Sequence, residues 1–138
     1  MNWTLEVVVV PVSDVDRAKN FYADKVGFNV DHDTKISDEN RVVQLTPSGS
    51  GCSIVVGKGI VPDMSPGSLK GLQLVVSDIH AAHDQLAERG VEVSDVQVAD
   101  ESGFRPSREG DALDNVGFVF FNDPDGNGWA VQQISARG

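Results

Sequence analysis

Three histidines, a single cysteine and one arginine-bearing stretch hold most of the side chains with which this chain could do acid–base, covalent or metal chemistry. His80 and His83 stand at i and i+3, a spacing that lets two imidazoles on a helix share a cation. No third ligand lies near them, and Ile79, Ala82 and Leu86 mark the buried stripe of that helix, so a solvated helix face is the expected reading. His32 sits in Val30-Asp31-His32-Asp33, where a carboxylate neighbour can orient an imidazole as a general base. Alternating polar residues on a strand describe an exposed face equally well. Cys52 follows a hairpin glycine without a basic group beside it to activate the thiol, and it reads as structural. The stretch from Asp100 to Asp111 carries Phe104, Arg105 and Arg108: an aromatic that could close on a ligand, and guanidinium groups that could pair with a carboxylate or phosphate. Simple flexibility explains such a polar segment as readily. Trp3 and Trp129 could stack on a planar ligand or serve as packing.

The elements that must position these residues come from an internal repeat. Val12-Ser13-Asp14-Val15 recurs as Val76-Ser77-Asp78-Ile79, and Ala18 recurs as Ala82 at the same offset. Each copy follows a β-branched stretch and opens a helix, with Ser or Asp available to cap the first amides. Val15, Ala18 and Tyr22 share one helical face, as do Ile79, Ala82 and Leu86, and the helices stop near Gly27 and Gly90. The ends of the halves also match. Pro47, Gly49 and Gly51 correspond to Pro124, Gly126 and Gly128, the turn residues of two hairpins. This second offset is larger, which places an insertion between Ala99 and Asn115 of the second half. Duplication is the economical explanation.

The resulting expectation is an α+β chain, 1–138 as one domain, built from modules 1–57 and 69–138 joined by a linker at 58–68. Strands are expected near 3–11, 28–36, 41–46 and 52–57 with a helix near 14–26. In the second module they fall near 70–76, 92–98, 116–122 and 128–134, with a helix near 79–89. A sheet exposes one face when alone, so the two sheets are expected to cover each other and to enclose a cavity.

Composition narrows the function. Lys and Arg total 11 against 21 Asp and Glu, a formal net charge of -10 that repels phosphate backbones and anionic lipid. Nucleic-acid and membrane partners are therefore not expected. One cysteine permits no intrachain disulfide, and Met1–Glu6 lacks a basic region followed by an apolar run, so a cytoplasmic protein is expected.

Pro11-Val12-Ser13-Asp14-Val15-Asp16-Arg17-Ala18-Lys19-Asn20-Phe21-Tyr22, with Gly27-Phe28 after it, resembles the opening of the vicinal oxygen chelate superfamily of glyoxalases, bleomycin-resistance proteins and extradiol dioxygenases. Phe121-Asn122-Asp123-Pro124-Asp125-Gly126-Asn127 is similar to that group's closing signature. The resemblance implies two tandem β-α-β-β-β modules forming facing curved mixed sheets, and a homodimer. In the family's metalloenzymes four inward positions supply His, Glu or Gln to one divalent metal. The resemblance puts those positions at Val7, Ser53, Gly71 and Ala130. Three of them have no donor and Ser53 is a weak neutral one, so no metal and no cofactor is expected. A one-residue slip that turned Glu6 inward would restore a single ligand.

Strand alternation then gives a cavity lining of Leu5, Val7, Val9, Ser53, Val55, Gly71, Gln73, Val75, Gly128, Ala130 and Gln132, apolar with a few amides. Trp129, Phe118 or Phe120 could instead fill that space as ordinary core. The binding candidates are Val7, Ser53, Gly71, Gln73, Phe104, Arg105, Trp129, Ala130 and Gln132. The expected function is metal-free binding of a small organic molecule. The alternative is a lyase, isomerase or dioxygenase-type enzyme using misplaced ligands or acid–base chemistry by His32, Glu6 or the arginine-bearing loop. A structural or regulatory partner domain with a filled cavity is a third reading.

Overall fold

The computed structural model describes residues 1–136, and the chain divides into two compact units. The first comprises Met1–Leu69 together with Asp123–Asn127. Its elements are β1 (Val7–Val9), α1 (Val15–Asn20), β2 (Asn29–Lys35), β3 (Arg41–Thr46) and β4 (Ser53–Lys58). The sheet order is β1-β4-β3-β2, with β1 parallel to β4 and the remaining pairs antiparallel. Asp14 caps α1, its side chain accepting from the Arg17 amide at 3.0 Å. The expected helix over 14–26 is α-helical only to Asn20. It continues as a π-helical turn, Phe21–Val26, and ends at Gly27 with φ 93°. α1, with Val15 and Ala18 buried, packs on β3 and β4, whose Val43, Leu45, Ile54 and Val56 are buried on one face, and Phe21 and Tyr22 of the following turn are buried as well.

The two signature stretches meet in this unit. Ser13 donates through its amide at 3.1 Å and its hydroxyl at 2.6 Å to Asp125, and Arg17 pairs with the same carboxylate. Asp123 accepts from the Tyr22 hydroxyl at 2.8 Å and from Asn127 Nδ2 at 2.7 Å. Asn127 also donates to the Pro11 carbonyl at 2.8 Å and accepts from the Leu69 amide at 3.1 Å. Tyr22 and Asn127 are fully buried, so these bonds are what makes burying their polar atoms tolerable. Both signatures therefore hold the fold together.

The second unit comprises Lys70–Asn122 and the chain from Gly128 onward. Its elements are β5 (Leu72–Val76), α2 (Ile79–Glu88), β6 (Gln97–Asp100), β7 (Gly103–Pro106), β8 (Gly117–Asn122) and β9 (Gly128–Gln133). The sheet runs β5-β9-β8-β6-β7, with β5 parallel to β9. Asp78 caps α2 as Asp14 caps α1, bonding the Ala81 amide at 3.1 Å. Ile79 and Leu86 bury with Val98, Val119, Phe121, Trp129 and Val131. The two mixed sheets, of four and five strands, are the α+β pattern expected from the repeat.

Several boundaries differ from expectation: β1 covers only Val7–Val9 of the strand expected near 3–11. β6 starts at Gln97, and Val93 makes only an isolated bridge to Phe121. The insertion adds a strand where a lid or disordered loop was expected: β7 pairs antiparallel with β6 across a turn at Gly103, whose φ of 109° suits glycine. Among the described residues no helix is long and apolar enough to cross a membrane.

Candidate binding faces

The register of the second sheet places side chains by alternation. Gln73 pairs with Ala130 and Val75 with Gln132 across β5–β9; Phe120 pairs with Ala130 and Phe118 with Gln132 across β8–β9. All six therefore lie on one face, opposite the one that buries α2. Phe104, from the added hairpin, joins them. Its ring meets Phe118 and Phe120 edge-on at 5.3 and 5.1 Å, while Phe118 and Phe120 stack at 6.0 Å. This cluster is not a closed core: Phe104 remains 55% exposed, and Phe118 and Phe120 are half-buried. Gln73 donates to the Gln132 side-chain carbonyl, and Gln132 donates to the Asn115 carbonyl at 2.7 Å. An open recess of about 250 Å³ lies at the edge of this face, lined by Gly71, Phe120, Phe121, Asn122, Gly128, Trp129 and Ala130.

Of the residues expected here, Gln73, Phe104, Ala130 and Gln132 share the face. Gly71 precedes β5 with φ 87°, so the side chain opposite Ala130 belongs to Gln73. A Cβ at Gly71 would meet nothing within 4 Å, which leaves the recess open on that side. Trp129 lines the recess but does not share the phenylalanine face. Its ring lies on the opposite face, 4% exposed and stacked on Phe121 at 5.9 Å, because consecutive strand residues point to opposite sides. Arg105 is engaged by carboxylates of its own segment. Its guanidinium binds Asp111 through both terminal nitrogens at 3.0 and 3.1 Å and Asp100 through Nε at 3.2 Å. The fork expected to pair with a ligand's carboxylate thus fastens the β6–β7 hairpin. Asp111 is drawn down to about 2, first by the Arg105 hydrogen bonds and then by the Arg108 amide.

The first unit has a second lined face. Val7 pairs with Ser53 and Val9 with Val55, and Val55 lies opposite Gln44, which lies opposite His32. The register keeps Val7, not Glu6, beside Ser53, so the one-residue slip does not occur. A bulge between Val30 and His32 re-aims Asp31 so that its carboxylate accepts from the Thr46 hydroxyl. Thr46 in turn contacts the Ser53 hydroxyl, and His32 Nε2 lies 3.0 Å from Gln44 Oε1. Asp31, Gln44 and Thr46 were not singled out in the sequence, since nothing in Val30-Asp31-His32 marks a bulge.

These positions do not fit a divalent cation. In the first unit Val7 has no donor and the Ser53 hydroxyl is already bonded to Thr46; in the second Ala130 has none and Gln73 is engaged with Gln132. Among the described residues no three His, Cys, Asp or Glu side chains converge. His80 is exposed on α2, and His83 pairs with Asp84 at 2.9 Å. Cys52 is half-buried, and Trp3, ahead of β1, is 87% exposed.

Two mixed sheets, each with a parallel pair formed by its first and last strands, together with the interlocked signatures, define the class. The chain belongs to the glyoxalase/bleomycin resistance protein/dioxygenase superfamily, whose family model matches residues 4–131. It is similar to TnmS3, an antibiotic binding protein from Streptomyces sp. CB03234, at 33% identity over 97% of this chain and 98% of that one, with a TM-score of 0.73. A glyoxalase/bleomycin resistance protein from the same organism is 34% identical over 94% of this chain and 100% of its own, with a TM-score of 0.69. A superfamily member from Sphaerobacter thermophilus DSM 20745 is 25% identical over 96% and 98%, with a TM-score of 0.74. No curated protein matches the sequence.

Proposed function

We propose that this protein binds a small, largely apolar organic molecule with planar aromatic surface on the phenylalanine face of its second unit, without a metal. The observation that carries this reading is the incompletely buried Phe104–Phe118–Phe120 cluster beside an open recess, with Ala130 between Gln73 and Phe120 in the strand register. Half-buried rings on a soluble protein retain apolar area that a planar ligand can cover, and the Gln73 and Gln132 amides supply orientation. The description of TnmS3 as an antibiotic binding protein supports ligand binding as the activity. Binding by apolar contact needs no Lewis acid, so Val7, Ser53, Gly71 and Ala130 do not impair it. A homodimer in the cytoplasm remains part of this reading, and sedimentation equilibrium tests the dimer directly. For the binding itself, 2-methoxynaphthalene is titrated into ¹⁵N-labelled protein. Shifts centred on Phe104, Phe118, Phe120 and Ala130 are expected; shifts absent there at millimolar probe would refute the assignment.

A further inference from the structure

The first unit carries a polar chain whose direction is set by one carboxylate. Thr46 has a single hydroxyl proton, and Asp31 accepts it. Thr46 Oγ1 is then left as the acceptor in its contact with Ser53, so Ser53 must donate there. With its own proton committed, Ser53 Oγ can offer only lone pairs to anything else. It is 6% exposed, with Val7 opposite it on β1 and Val55 two residues further along β4, an apolar setting. Alignment of successive hydroxyls toward a negative charge strengthens each acceptor along the chain. The arrangement depends on the bulge that brings Asp31 to the side of Thr46. Bulges are over-represented where a side chain has to be re-aimed for function.

We infer that Ser53, polarised through Thr46 by Asp31, is a hydrogen-bond acceptor subsite for the hydroxyl or N–H group of an otherwise apolar small molecule. Val7 and Val55 supply the apolar contact and Gln44 the flanking amide. The subsite lies wholly in the first unit and stands independently of the phenylalanine face.

The test compares 2-naphthol, which donates, with 2-methoxynaphthalene, which does not, by following the backbone amides of Val7, Thr46, Ser53 and Val55 in ¹⁵N spectra. The wild-type protein is expected to bind the naphthol about three- to tenfold tighter, the range one net hydrogen bond supplies. Ser53→Ala is expected to abolish that preference. Thr46→Val, which keeps the side-chain shape but frees the Ser53 proton to donate, is expected to lower it as well. Thermal melts establish that both variants are folded, and the second keeps the test valid if the first is not. Equal affinity of the wild type for the two probes, or a preference that persists in both variants, would overturn the inference. Shifts confined to Phe104, Phe118 and Phe120 would overturn it while leaving the proposed binding face intact. Shifts at neither face would remove both.

Discussion

Replacing Asn127 with alanine tests whether the closing signature acts as a structural clasp. Asn127 is fully buried and makes three side-chain hydrogen bonds: to the Pro11 carbonyl at 2.8 Å, to Asp123 Oδ2 at 2.7 Å, and from the Leu69 amide at 3.1 Å. A neutral bond of this kind contributes about 1 kcal/mol net, and one to a carboxylate about 1.5–3 kcal/mol. Alanine also strands the Leu69 amide and the Pro11 carbonyl, and it leaves Asp123 with the Tyr22 hydroxyl and the amides of Asp125 and Asn127. The combined loss is about 3–5 kcal/mol, a large share of the stability of a chain this size. Urea denaturation should show a lower midpoint at unchanged slope, and the melting temperature should fall by roughly 10–20 °C. A loss below about 1 kcal/mol would refute the reasoning, because water would then be replacing these bonds at little cost.

Further expectations concern the two units separately. Phe104→Ala should weaken 2-methoxynaphthalene binding about fivefold or more, measured by calorimetry, with little change in melting temperature because the ring is largely exposed. Trp129→Phe should lower stability by about 1–3 kcal/mol in urea denaturation, since the ring is buried and packs on Phe121. Asp111 is held at about 2 against an ordinary 3.8 by Arg105, so its contribution to the β6–β7 hairpin is complete above pH 3.8 and lost as pH falls through about 2. Carboxyl ¹³C titration of Arg105→Gln should move the Asp111 midpoint up toward 3.8.

Much of the fold was legible because it is written in local chemistry. Asp14 and Asp78 cap their helices as the repeat requires, and the hairpin glycines fall where β4 and β9 begin. Alternation from Gly128 correctly puts Ala130 and Gln132 on one face, and the same alternation puts Trp129 on the other. Phe118 and Phe120 were visible as alternating aromatics in Gly117-Phe118-Val119-Phe120, but their exposure depends on tertiary packing that spacing does not encode. The role of Arg105 was hidden because its partners come from both ends of the insertion. Polar residues there describe a mobile loop as well as a fastened hairpin. The bulge at Asp31 involves no glycine, so its register shift becomes visible only against β3.

The most direct measurement is calorimetric titration of 2-methoxynaphthalene into protein dialysed against EDTA, beside the same protein supplied with Mn²⁺ or Zn²⁺. The account predicts saturable binding in the chelated sample, with affinity unchanged within about twofold by either metal and reduced in Phe104→Ala. Binding that appears only after metal is added, or that is indifferent to Phe104, would contradict it.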